Sequence, residues 1–150
     1  MTTTTTLAEL PSLKGQELGT SSWFEITQER VNQFADATGD HQWIHVDVER
    51  AKSGPFGATI AHGFFTLSLL PEMAASAFTV REARMGVNYG LNKVRFPAPV
   101  PSGSRLRGHF KLVGYEPLEG GAQITVQVTM EREGSDKPVC IAESLSRRYA

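Results

Sequence analysis

Apolar and polar positions divide the chain into a first part with helical spacing and a second part that alternates. In the first part Val31, Phe34, Ala35 and Thr38 recur at the spacing of one helix face. Thr27 stands where such a helix takes its N-cap, and Gly39 supplies its stop. Residues 23–26 read as a short strand ahead of it. Asp47 predicts the cap of a second short helix through Lys52, and Gly54, Pro55 and Gly57 mark a loop. From His62 to about Ala77 the chain is apolar on nearly every side, with Phe64, Phe65, Leu67, Leu69, Leu70, Met73 and Ala74. A helix of that kind is surrounded by protein. Pro71 bends or shortens it.

Further on the period becomes two. Leu106, Gly108, Phe110 and Leu112 oppose Arg105, Arg107, His109 and Lys111, and Ile124, Val126, Val128 and Met130 oppose polar neighbours. These are strands with one wet face. Turns are expected at 117–121 and 134–138, before a last strand over 139–149, while 84–89 and 93–96 are weaker strand candidates. Helices first and antiparallel strands afterwards predict an α+β fold in which a long central apolar helix meets an antiparallel sheet.

At 150 residues the chain fits one domain, 1–150, able to bury roughly 68–70% of the surface its unfolded form exposes. The threonine run in residues 1–6 lacks the basic start and apolar core of a signal peptide and reads as a frayed, disordered tail. Residues 54–80 carry only Glu72 as a charge, but Pro71 and Glu72 interrupt them before a membrane-length apolar run accumulates, so no membrane span is expected. Cys140 is the single cysteine, which excludes an intramolecular disulfide and suits the cytoplasm. The formal net charge of −1 and the lack of a recognisable motif argue against nucleic acid as a partner. Charge is uneven: residues 1–80 hold 4 Lys/Arg against 9 Asp/Glu, whereas residues 81–150 hold 11 against 7. A phosphate-bearing partner would meet the second half first.

Chemistry concentrates at residues 38–47, where Asp40, His41, Gln42, Trp43, His45 and Asp47 follow the helix stop. Three readings compete. As a metal site, His41, His45 and Asp47 would supply ligands, although zinc motifs place paired histidines on a regular helix, which Gly39 and Trp43 oppose. As structural groups, Asp40 would cap a turn and His45 would sit satisfied in the core. As an acid/base pair, Asp40 and His45 would hold one water and exchange protons near neutrality. A second run, Ile60, Ala61, His62, Gly63, Phe64, Phe65, places a glycine at the opening of the apolar helix, where free backbone N–H groups stabilise an oxyanion.

Gly39-Asp40 followed by His45, then Ala61-His62-Gly63 ahead of an apolar helix, together resemble the MaoC-type dehydratases, the (R)-specific enoyl-CoA hydratases. The similarity continues through residues 88–103, NYGLNKVRFPAPVPSG, and is nearest to the short members related to nodulation protein N. The resemblance implies a hotdog fold, a homodimer, and an acyl-CoA or acyl-carrier-protein thioester as substrate. It maps the water-holding aspartate and histidine onto Asp40 and His45, and the oxyanion donor onto the Gly63 N–H. Family members often read Gly-Asp-x-Asn-Pro-x-His, whereas this chain has Gln42-Trp43 in place of Asn-Pro. Trp43 cannot fix φ as proline does.

The implied reaction is hydration of a trans-2-enoyl thioester, or dehydration in reverse, with no cofactor and no metal. Gln42, Trp43, Phe64 and Phe65 are expected to line the substrate site. Lys93 and Arg95, with Arg105, Arg107, Arg147 and Arg148, are candidates for meeting the phosphates of coenzyme A or of a pantetheine arm. Which of Asp40 and His45 is the acid stays open. Competing functions are an acyl-CoA thioesterase and a non-catalytic acyl-thioester-binding subunit.

Overall fold

The structure, a computed structural model, describes residues 2–150. In chain order its elements are β1 (Thr3–Thr5), a 3-10 turn (Leu10–Leu13), β2 (Glu17–Thr20), β3 (Phe24–Glu25), α1 (Gln28–Thr38), α2 (Trp43–Val46), α3 (Val48–Lys52), α4 (Gly63–Ser68), α5 (Leu70–Ala77), β4 (Phe78–Val80), β5 (Met85–Arg95), β6 (Arg105–Leu118), β7 (Gly121–Arg132) and β8 (Cys140–Tyr149). The larger sheet is antiparallel in the order β2-β6-β7-β8-β5, with β3 also paired to β6.

The alternation seen in the sequence sets which face of β6 and β7 packs inward. Leu106, Phe110, Leu112, Ile124, Val126, Val128 and Met130 are all buried and join Leu69, Met73 and Ala77 of the central helix in one core. Gly108 allows the close approach, since a Cβ there would stand 2.9 Å from the Phe110 ring and 3.2 Å from Met73 Sδ. Pro71 breaks the central helix as expected: α4 ends at Ser68 and α5 restarts at Leu70, because proline has no N–H for the ladder and clashes with the preceding turn. Among the described residues no helix is long and apolar enough to cross a membrane.

Three expectations are corrected. Residues 1–6 are not all a loose tail: Thr3, Thr4 and Thr5 form a parallel pair with Phe78, Thr79 and Val80, a use of threonine's preference for extended backbone. The two separate strand candidates over 84–96 are one strand, β5, with register shifts along its pairing with β8. The turn expected over 117–121 is tighter, because β6 and β7 stay paired as far as Leu118 and Gly121.

Candidate active site

The loop carrying Asp40 begins where α1 ends. Gly39 takes φ 87°, a left-handed value open to glycine, and its N–H donates to the Ala35 carbonyl at 2.8 Å. The chain turns sharply there. Asp40 follows, exposed, and its Oδ1 accepts from the Gln42 N–H at 3.3 Å. Gln42 then opens α2, a single turn that carries His45 inward to a buried position.

Tertiary hydrogen bonds hold that turn in place. His45 Nδ1 donates to the Ile60 carbonyl at 2.7 Å, while the Ile60 N–H donates to the Ile44 carbonyl at 2.9 Å. Gln28 Nε2 donates to the His45 carbonyl at 2.8 Å, and Gln28 Oε1 accepts from Thr59 Oγ1 at 2.5 Å and from Ser102 Oγ at 3.1 Å. One glutamine of α1 thus ties together the histidine turn and the segment leading to α4. With Nδ1 protonated and spent on a carbonyl, Nε2 of His45 is the free lone pair.

His62 completes the group. Its ring stacks on His45 with centroids 3.8 Å apart and planes at 24°, and its Nε2 donates to the Asp40 main-chain carbonyl at 2.9 Å. Phe34 also packs against it, tilted, with centroids 4.9 Å apart. Asp40, His45 and His62 each offer one nitrogen or carboxylate oxygen within 4.8 Å of the others, the one such group among the described residues. Burial holds the His45 imidazole's pKa below its usual 6.5, reinforced by His62 and opposed by the Ile60 carbonyl and Asp40. A cation at this group would rest on His45 Nε2, His62 Nδ1 and the Asp40 carboxylate. Stacked imidazoles aim their in-plane lone pairs side by side, however, a poor start for a tetrahedral set.

Gly63 is the first residue of α4, directly after His62. Its N–H has no acceptor among the described residues, as befits a first-turn donor. A Cβ at this position would lie 3.0 Å from Cδ2 and Cε2 of Phe96, so the Phe96 ring lies directly over the glycine. Phe96, Gly63, Thr66, Ala61 and Val139 line a pocket of about 260 Å³.

Of the expected site residues, the structure brings Asp40, His45 and the start of α4 together. Gln42 serves through its backbone, bonding Asp40 by N–H and the His45 N–H by carbonyl at 3.0 Å. Trp43 is not aimed at an open pocket: Arg50 stacks over its ring at 4.2 Å and Gly54 abuts it. Phe65 is core, packed on Phe34 at 5.3 Å, whereas Phe64 is 72% exposed. The alternative ligands are dispersed, with His41 Nε2 at 2.9 Å from Asp36 and Asp47 capping α3. Among the cations, Arg105 and Arg107 are neutralised by Glu133 and Glu131, while Lys93 and Arg95 stand exposed on β5. His62, Gln28 and Phe96 are the additions. His62 and Phe96 stood in stretches quoted for the resemblance without a role of their own, whereas nothing in the sequence marked Gln28.

Residues 9–134 match the MaoC like domain. The chain belongs to that family. A MaoC-like relative in Mycobacterium tuberculosis (strain ATCC 25618 / H37Rv), 3-hydroxyacyl-thioester dehydratase Z, is 58% identical over 151 residues, covering 100% of both chains. Nodulation protein N of Rhizobium leguminosarum bv. viciae is 50% identical over 140 residues, covering 91% of this chain and 86% of that protein. The MaoC-like dehydratase from Rhodospirillum rubrum superposes with a TM-score of 0.75 at 19% identity, over 91% of this chain and 92% of that one. The (R)-hydratase from A. caviae superposes with a TM-score of 0.73 at 18% identity, over 89% and 94%. The helix-wrapped sheet of this MaoC-like chain is therefore a hotdog fold.

Proposed function

We propose that this MaoC-like chain is an (R)-specific enoyl-thioester hydratase, equally a 3-hydroxyacyl-thioester dehydratase in reverse, with Asp40 and His45 as its acid/base pair. The observation that carries the reading is the convergence of a carboxylate and a neutral imidazole within 4.8 Å, beside the helix start at Gly63. A relative named as a dehydratase at 58% identity over the full length supports it.

A water between the Asp40 carboxylate and His45 Nε2 donates to both. The substrate carbonyl accepts from the Gly63 N–H, which draws electron density from the double bond and exposes the β-carbon. The water oxygen bonds to that carbon as its proton passes to the pair. The electrons of the double bond move onto the thioester oxygen, facing the glycine N–H. Collapse of the enolate takes one proton back from the pair onto the α-carbon. Both groups then hold the protons they began with. No metal or cofactor enters these steps.

Lys93 and Arg95, exposed on β5, are the cations offered to the phosphates of coenzyme A or a carrier arm: Arg105 and Arg107 are paired with glutamates, Arg147 is held by Gln123 and lies over the Tyr89 ring, and Arg148 is largely buried. Strand β5 also supports the homodimer. It is the last strand of its sheet and exposes Met85, Val87, Tyr89 and Leu91 at 43–57%. An open apolar edge of that length invites a second copy. Sedimentation of the purified protein at twice the monomer mass is the expected result. The dehydratase reading and the single cysteine, without a disulfide partner in the chain, favour work in the cytoplasm.

The test follows trans-2-enoyl-CoA substrates from crotonyl to hexadecenoyl. Loss of the enoyl absorbance without free thiol, giving the 3R product, supports hydration. Release of thiol assigns a thioesterase, and tight binding without turnover assigns an acyl-binding subunit.

A further inference from the structure

On β6 and β7 the side chains facing the central helix are apolar, among them Leu106, Phe110, Leu112, Ile124, Val126 and Val128. Strand β8 breaks this pattern. Along the same face it reads Cys140, Ala142, Ser144, Ser146 and Arg148, turning polar in mid-strand and ending on a cation. A wholly apolar stripe, as on the neighbouring strands, would be the stabler filling. The polar stripe therefore asks for a ligand.

Arg148 is set there with some care. It pairs across to Gly86 on β5 and Ala122 on β7, so small residues flank it on both sides. A Cβ on Gly86 would sit 3.4 Å from Arg148 Cδ, and the glycine thus makes room for the stem. The guanidinium lies over the Phe78 ring at 5.4 Å, and Nε donates to Ser146 Oγ at 3.3 Å. No carboxylate lies within ion-pair distance of it among the described residues. Burial lowers its pKa, yet a guanidinium stays protonated in proteins, so an uncompensated charge faces the cavity beside it.

That cavity, of about 180 Å³, has Leu70, Pro71 and Ala74 on the helix side and Asn88, Ser146 and Arg148 on the sheet side. A second pocket of about 390 Å³ shares Leu70, Pro71, Asn88 and Ser144 with it and continues to Leu67 and Ser68. The two follow one flank of the central helix from Ala74 to Leu67, one turn after Gly63. At 1.5 Å per residue, Ala74 lies about 16 Å along the helix from Gly63. An acyl chain with its carbonyl at Gly63 would run beside Leu67 and Leu70 and end at Arg148.

We propose that Arg148, with Ser144, Ser146 and Asn88, forms a polar terminus of the acyl subsite that selects thioesters bearing a carboxylate at the far end of the acyl chain. This rests on the hydratase reading. A carboxylate there would accept charge-assisted bonds from the guanidinium and supply its missing counter-ion. An apolar methyl terminus would leave the guanidinium without a counter-ion and the Ser144 hydroxyl and Asn88 amide unanswered.

The experiment compares kcat/KM for trans-2-enoyl-CoA pairs of equal length, ending in either a carboxylate or a methyl group, from decenoyl to tetradecenoyl. The unaltered protein should favour the carboxylate by about ten- to a hundredfold at the length that reaches Arg148. In Arg148→Met the preference should reverse, and in Arg148→Lys it should persist in part. Equal or better turnover of the methyl-ended partner by the unaltered protein overturns the proposal, as does a preference that survives in Arg148→Met. If Arg148→Met does not fold, the pair comparison in the unaltered protein and in Arg148→Lys decides. Crotonyl-CoA, too short to reach Arg148, separates the two readings. Failure of the unaltered protein to hydrate it overturns the hydratase assignment itself, whereas its hydration without a carboxylate preference overturns only the subsite.

Discussion

The imidazoles of His45 and His62 lie face to face, 3.8 Å between centroids, and each is pinned by a different main-chain carbonyl. His45 Nδ1 is held by Ile60, and His62 Nε2 holds Asp40. The stack therefore registers the two members of the proposed acid/base pair against each other. His62 is a positioning residue in this arrangement.

Replacing either member of the pair should remove turnover while leaving the fold intact. Asp40→Asn and His45→Gln are each expected to lower kcat by about 10²- to 10⁴-fold on crotonyl-CoA. Near wild-type rates in either variant would remove the pair from the mechanism.

His62→Phe keeps a stacking ring but loses the bond to the Asp40 carbonyl. The expected result is a fall in kcat of about 10- to 100-fold with KM little changed. His62 also helps to lower the His45 pKa, so the acid limb of the pH profile should move upward in this variant. A purely structural role would leave that limb where it was.

The pH dependence follows from the same group. In the proposed mechanism neutral His45 is the active form, and burial holds its pKa below 6.5 in the folded protein. On the acid side kcat/KM should fall with an apparent pKa below that value. Stability has the same sign: the folded state binds fewer protons at His45 than the unfolded chain does. This contribution is complete above 6.5 and is lost as pH falls through the folded pKa. Denaturant titrations at several pH values check it, and stability from this group that rose on acidification would contradict the burial of a neutral ring.

Gly63→Ala sets a methyl 3.0 Å from the Phe96 ring, which must shift for it to fit. Turnover should drop, and Phe96→Leu should recover part of it when combined with Gly63→Ala. The recovery, measured as a double-mutant coupling, separates crowding at the ring from simple loss of helix geometry.

Gly39→Ala tests the turn that delivers Asp40. At φ 87° an L side chain is strained, and the expected cost is about 1–2 kcal/mol in chemical denaturation. An unchanged midpoint would mean that the loop relaxes freely.

Much of the scaffold was legible because it rests on local rules. The Thr27 cap, the Gly39 stop, the Pro71 break and the alternation in β6 and β7 each depend on a few neighbouring residues, and they appear where expected. β5 gave a weak signal because its residues are exposed on both faces, so no alternation could mark it. The single turn of α2 is too short for helical periodicity to register.

At the site, sequence by itself determined the chemical groups and their local frame: Asp40, His45 and a glycine opening an apolar helix. Tertiary structure decided what those groups do to one another. The His62 bond to Asp40 spans 22 residues, and the Phe96 ring meets a glycine 33 positions away. Arg148, grouped from sequence with the candidates for the phosphates of coenzyme A, turns inward, with a glycine and an alanine as its partners on neighbouring strands. Spacing along a chain reports only contacts within a turn or a pleat. Which imidazole stays neutral, and which cation lacks a counter-ion, depends on burial and on groups brought from distant strands.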